Sequence, residues 1–334
     1  MRKHRTALRF LGTFCILAFC WLTARPQAEM TVQVHMVITD AMPRMEKSLP
    51  ALNPENVKVK QGKRYLDVVR VIPAQGDNAA LQLMIMIDDT LSTSAVGHNL
   101  TELKGFIGAQ PPSTVIGIAY MSNATANVAQ NFTADHDLAV KAIRLPRGTL
   151  SSMDSPYLSL ISLVKSWPQQ NVRREVLMIT DGIDRLRGRQ PAAARLGPGY
   201  GPGPIAHDMP TISVDATSAS EISQRYNVII DSIYSPGINA HARGSWTAQM
   251  GLSGLSKLAE ETGGECFSLG TSNPVSFKPY LETLEKLFNN QYYLVFRAIP
   301  KNKAGFQYVK VETEPKTKVL APNNVWVPAV TERE

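Results

Sequence analysis

Residues 81–87 form a continuous apolar run broken only by Gln82, the pattern of a strand buried on both faces. The spacing then changes: Val96, Leu100, Leu103, Phe106 and Ile107 recur at three- and four-residue steps, which predicts an amphipathic helix. Residues 114–120 give a second buried strand, and a short helix is expected around 135–143. Asp154-Ser155-Pro156 opens another helix, with cap residues ahead of a proline in its first turn and Tyr157, Leu158, Ile161 and Val164 on its apolar side. Residues 175–180 and 227–234 return as strands. Between them Ser218-Ala219-Ser220-Glu221 has the spacing of a capping box and is expected to start a helix. A helix carrying Leu252, Leu255, Leu258 and Ala259 stops at Gly263-Gly264, and a last one carries Phe277, Leu281, Leu284 and Phe288. Strands alternating with helices predict an α/β fold, an open and mostly parallel sheet with helices on both faces.

On either side the period drops to two. Residues 31–38, 57–60 and 65–72 before this region, and 292–299, 306–312, 319–320 and 325–327 after it, read as β pieces. Each flank is marginal for independent stability, so one small β-sandwich made from both flanks is the economical reading, with two separate β modules as the alternative. The expected division is a signal peptide over 1–28, a β flank over 29–77, an α/β domain over 78–290 and a second β flank over 291–334. Residues 187–212 contain Gly197-Pro198-Gly199-Tyr200-Gly201-Pro202-Gly203-Pro204, which suits neither helix nor ladder strand and reads as a long loop.

The start of the chain changes the reading of its charge. Arg2, Lys3, Arg5 and Arg9 precede a short apolar run over 10–22 and a small-residue exit at Thr23, Ala24 and Ala28, the grammar of a secretory signal peptide. An uncleaved anchor is the alternative, although the run is short for a membrane span. The 334-residue chain has 35 basic and 28 acidic residues; cleavage after Ala28 removes five basic ones and leaves 30 against 28. That near-neutral balance gives no footprint for nucleic acid. Cys15 and Cys20 leave with the signal, so the mature monomer holds only Cys266 and forms no internal disulfide. The mature chain is expected to be secreted or periplasmic, with no stable membrane span.

Ligands of open parallel sheets bind at the carboxyl ends of the strands. Two such ends finish in acid here: Asp88-Asp89-Thr90-Leu91-Ser92 and Thr180-Asp181-Gly182-Ile183-Asp184. Alternate residues from Asp88 give Asp88, Thr90 and Ser92, three oxygen-bearing side chains; the other register brings in Leu91, which ligates nothing. Carboxylates and hydroxyls without His or Cys suit a hard divalent ion, Mg²⁺ or Mn²⁺. Asp89 and Asp184 are expected behind the ligands or in solvent, and His35, His98, His136, His207 and His241 show no metal-ligand spacing. His207 and His241 are expected in exposed loops.

These residues resemble the metal-ion-dependent adhesion site of the von Willebrand factor A (VWA) domain, whose pattern is Asp-x-Ser-x-Ser, a loop Thr and an Asp ending a later central strand. Asp88-x-Thr90-x-Ser92 keeps the hydroxyl at the middle position, and Asp181 fits the last element. The loop Thr maps to Thr149, with Ser151, Ser152 and Ser155 as competitors. The wider chain resembles the secreted VWA-related family abundant in Acidobacteria, through Ile87-Asp88-Asp89, the segment 224–228, Leu258-Ala259-Glu260-Glu261-Thr262-Gly263-Gly264, Pro274-Val275-Ser276-Phe277, Asn290-Gln291-Tyr292 and Val325-Trp326-Val327-Pro328. The resemblance implies a VWA fold, a Mg²⁺ or Mn²⁺ held by Asp88, Thr90, Ser92, Thr149 and Asp181, and a protein partner presenting Asp or Glu. It implies no enzyme activity. A haloacid-dehalogenase-like phosphatase would want Asp at position 90, and there is no Gly-x-Ser-x-Gly elbow, His-Glu-x-x-His or phosphate-binding glycine loop. A metal-free scaffold in an envelope assembly is the alternative, and a metal-dependent hydrolase a third reading.

Overall fold

The computed structural model describes residues 31–41, 52–168, 172–186, 214–237, 245–314 and 316–329. The expected signal segment, the loop expected over 187–212, His207 and His241 lie outside the described residues.

The chain opens with four strands, β1 (Val32–Asp40), β2 (Val57–Gln61), β3 (Arg64–Leu66) and β4 (Val68–Pro73). The α/β part follows as β5 (Leu81–Asp88), α1 (Thr93–Ala109), β6 (Thr114–Ser122), β7 (Thr125–Thr133), α2 (His136–Ala142) and α3 (Pro156–Ser166). It continues through β8 (Arg173–Thr180), α4 (Val214–Arg225), β9 (Val228–Tyr234), α5 (Ser245–Thr262), β10 (Cys266–Phe267) and α6 (Lys278–Asn289). Strands β11 (Gln291–Ala298), β12 (Gly305–Thr313), β13 (Val319–Leu320) and β14 (Asn324–Val327) close the chain.

Every residue of β5, β8 and β9 is buried, the polar Arg173, Arg174, Glu175 and Asp231 included. They sit in a six-stranded sheet of order β10-β9-β8-β5-β6-β7, parallel except for the antiparallel edge strand β7. This is the expected open α/β sheet. Because successive side chains of a strand point to opposite faces, Leu81, Leu83, Ile85 and Ile87 pack with α1 and α6, while Met84 and Met86 pack with α3 and α5. From β5 the chain runs outward to β6 and then returns to β8 on the other side. The order therefore reverses between β5 and β8, and a crevice opens above their carboxyl ends.

Several elements depart from the sequence reading: the single β piece read over 65–72 is two strands, β3 and β4, placed in different sheets, and the short β10 carries no pattern that announces it. Strand β7 has a polar, uncharged sequence that gives no buried-strand pattern; it pairs with β6 through a tight turn where Asn123 and Ala124 both have positive φ, as a two-residue hairpin of type I′ requires. The capping-box reading at Ser218 is corrected: α4 already begins at Val214, so Ser218 is an interior residue.

The flanks build one sandwich. Its sheets run β13-β1-β11-β4 and β14-β12-β2-β3, each mixing strands from both chain ends. Val34, Met36, Ile38, Leu294 and Phe296 of one sheet meet Val57, Val59, Val309, Val325 and Val327 of the other. Among the described residues no helix is long and apolar enough to cross a membrane.

Where sandwich and α/β sheet join, polar groups are buried together. Arg173 Nη1 donates to Phe288 O (2.8 Å) and Gln291 Oε1 (2.6 Å), and its Nη2 donates to Ala79 O (2.5 Å). Gln291 Nε2 in turn donates to Glu175 Oε1 at 2.5 Å. Glu175 Oε2 is buried without a hydrogen-bond partner, and Asp231, whose carboxyl interacts with Glu175, is buried with it, an arrangement that disfavours charge on both groups at once. Burial is the main reason that Glu175 is pushed from its ordinary 4.5 up to about 7, against the pull of Arg173, and burial with the Glu175 charge holds Asp231 well above the carboxylate range. A carboxyl whose folded-state pKa is raised stabilises the fold below its unfolded pKa and loses that contribution as pH climbs through the folded value. Stability is thus expected to fall between roughly pH 4.5 and 7, by an order of 2–3 kcal/mol. Glu175→Gln, which keeps the shape and carries no charge to bury, should flatten that fall and melt above the wild type at pH 8. Calorimetric melts across pH 5–8 check this, and parallel curves for the two proteins would refute it.

Candidate metal centre

Asp88 ends β5 and Asp181 follows β8, so the reversal of strand order sets two carboxyl groups side by side above the crevice. Both are buried, at 3% and 0% exposure. Asp88 Oδ1 accepts from Thr90 N (2.9 Å) and its Oδ2 from Thr180 Oγ1 (2.6 Å), and Thr180 Oγ1 accepts from Gly182 N (3.1 Å). Burial first, and the Asp181 charge second, push Asp88 up to about 6. Its hydrogen bonds pull the other way.

The Thr90 hydroxyl is buried beside the Asp88 carboxylate but lacks the geometry of a hydrogen bond and has no other partner. It also faces Asp181. Gly237, which bridges to Leu91 above the strand ends, fixes a reference point: a Cβ there would stand 2.5 Å from Asp181 Oδ2, 3.1 Å from Thr90 Oγ1 and 3.3 Å from Arg185 Nη2. Three of the five residues expected at the site, Asp88, Thr90 and Asp181, therefore converge.

The other two are placed differently. Ser92 stands ahead of the first turn of α1 with its hydroxyl paired to Ser94 Oγ at 2.9 Å. Thr149 is exposed on the loop between α2 and α3. Its competitor Ser155 caps α3, accepting from Leu158 N at 3.3 Å, and Ser151 Oγ accepts from Met153 N at 3.1 Å. That loop is fastened to the strand ends through Asp89 and Asp154. Arg144 forks onto Asp89 (Nη1–Oδ1 2.7 Å, Nη2–Oδ2 2.8 Å) while its guanidinium lies 3.6 Å from the centre of the Tyr120 ring. Asp154 accepts from Asn123 N (2.7 Å) and Ser151 N (2.6 Å). Asp89 is thus a buried anchor of the loop, not a solvated residue.

The residue that sequence reasoning missed is Arg185. Its Nη2 lies 2.5 Å from Asp181 Oδ2 and its Nη1 3.3 Å from Oδ1, with the side chain only 14% exposed. Burial works against its charge, yet Asp181, Asp88 and Asp154 together hold its pKa above the ordinary value. The one sequence signal is an Arg four residues beyond Asp181. The pairing itself depends on a turn in which Gly182 takes φ +65°.

The donors suit a hard divalent ion: two carboxylates and a buried hydroxyl without a partner, all oxygen. No group of three or more His, Cys, Asp or Glu side chains able to hold a metal occurs among the described residues.

No protein-family model matches the chain. No curated protein matches it. Solved structures do. An aerotolerance-related membrane protein from Bacteroides fragilis NCTC 9343, carrying multiple mutations to serines, is 12% identical over 63% of this chain and 99% of its own, with a TM-score of 0.38. The SpRpn10 VWA domain is 13% identical over 61% and 94%, at 0.36, and the human COPII-coat protein Sec24c is 8% identical over 76% and 44%, at 0.37. Likenesses this loose say nothing of individual residues; the α/β architecture stands on the sheet order itself.

Proposed function

We propose that this chain is an exported protein-interaction module of the VWA type. Its docking face is the carboxyl edge of the central sheet, where Asp88, Thr90 and Asp181 would hold Mg²⁺ or Mn²⁺. A bound ion would supply an open coordination position for an Asp or Glu of a protein partner. The observation that carries this reading is the convergence of two buried carboxylates and an unpartnered hydroxyl at the reversal of strand order. Like charges buried together favour a compensating cation. The neighbouring loop also exposes Leu145, Leu150 and Met153, apolar side chains suited to contact with a protein surface. In this reading the chain binds and does not catalyse. The metal-free scaffold is favoured by one observation, that Arg185 already supplies Asp181 with a positive charge from within the chain.

Isothermal titration of Mg²⁺ and Mn²⁺ into the mature protein and into Asp181→Asn separates the two. Saturable binding in the wild type that is lost in Asp181→Asn, with the variant's circular dichroism unchanged, is the expected result. No heat of binding at millimolar metal would leave the scaffold reading.

A further inference from the structure

Every carboxylate oxygen of Asp88 and Asp181 already accepts a hydrogen bond from the chain. Three of the donors are fixed: the backbone N–H groups of Thr90 and Ile183, and the buried Thr180 hydroxyl. The fourth is the end of a long side chain. Arg185 holds Asp181 Oδ2, the same oxygen that faces the unpartnered Thr90 hydroxyl across the reference point beside Gly237. A divalent ion bridging Asp181 and Thr90 would have to take that oxygen, and it would stand against a guanidinium in a buried, weakly screened position.

Building on the metal-binding reading above, we propose that Arg185 is a tethered competitor for the metal site. The guanidinium and the ion exclude each other at Asp181 Oδ2, so the metal binds only when the side chain has swung off Asp181. Arg185 then sets the metal affinity without being a ligand. A population held mostly in the closed state lowers the apparent affinity in proportion to the fraction that is open.

Mn²⁺ titrations of the wild type, Arg185→Gln and Arg185→Lys test this, with Asp181→Asn as the blank. Arg185→Gln, which removes the charge, should bind Mn²⁺ at least ten-fold tighter than the wild type, and Arg185→Lys, which keeps it, should stay within a few-fold. A second measurement needs no variant: in ¹⁵N NMR of the wild type, saturating Mg²⁺ should move the Arg185 Nη–H signals, which belong to the groups that hold Asp181, from a protected to a solvent-exchanging position. Equal or weaker binding by Arg185→Gln, or an Arg185 signal unmoved by bound Mg²⁺, overturns the competition while the metal site stands. Absence of binding in both the wild type and Arg185→Gln removes the metal reading, and the competitor with it.

Discussion

Replacing Arg173 with Met is expected to lower stability by about 3–5 kcal/mol, the range for removing one member of a buried charged network. The side chain is almost wholly buried and its guanidinium satisfies Phe288 O, Ala79 O and Gln291 Oε1 at once. Methionine fills a similar volume but donates nothing, so three acceptors, two of them buried, lose their partner. These acceptors come from the end of α6, the start of β11 and the segment before β5, the places where sandwich and α/β sheet are joined. Glu175 also loses the cation that opposes its upward shift, so the variant's melting point should fall more steeply with pH than the wild type's. At about 2–4 °C per kcal/mol for a chain of this size, the melting point should drop by roughly 10 °C. A drop under about 2 °C at pH 7 would show that Arg173 is not what ties the two parts together.

Gly251→Val should cost about 3 kcal/mol or more, and should remove metal binding as well. Helix α5 crosses the turn after β8 with backbone against backbone. A Cβ on Gly251 would overlap Asp181 O, and a Cβ on Gly182 would stand 2.5 Å from Gly251 O. Neither obstacle is a flexible side-chain end, so relief comes only by moving the helix or the turn. The turn carries Asp181, and a displaced Asp181 no longer faces Thr90. Thermal melts and Mn²⁺ titration of the same preparation check both effects. A variant that melts with the wild type would mean that α5 moves aside at little cost.

Much of the architecture is legible in the sequence because burial on both faces leaves a mark: residues 83–87, 176–179 and 228–230, within β5, β8 and β9, carry no polar residue. Strand β7 is illegible for the opposite reason. It sits at an edge and is held by its ladder with β6, so its side chains need no pattern, and its turn places positive φ at Asn123 and Ala124 without a glycine. At the site, Asp88, Thr90 and Asp181 are readable because strand ends and a two-residue period fix their positions. Arg185 is not, since its reach onto Asp181 follows from the shape of a short irregular turn. Thr149 depends on how its loop is tied down, and the tie, Arg144 to Asp89, links residues 55 positions apart.

The mixed sandwich has a kinetic side. Lys58 and Glu314 meet across 256 positions, so β2 can find β12 only when the whole α/β module has been made. Contacts of such high order form late, and the first four strands meanwhile lack the partners that complete their sheets. Once closed, the sandwich joins the two ends of the module much as a disulfide would, cyclising it without a covalent bond. A loop of that length loses on the order of 5 kcal/mol of unfolded-state entropy when its ends are pinned. The β flanks would then act as a clasp that slows the opening of the sheet whose strand ends carry Asp88 and Asp181.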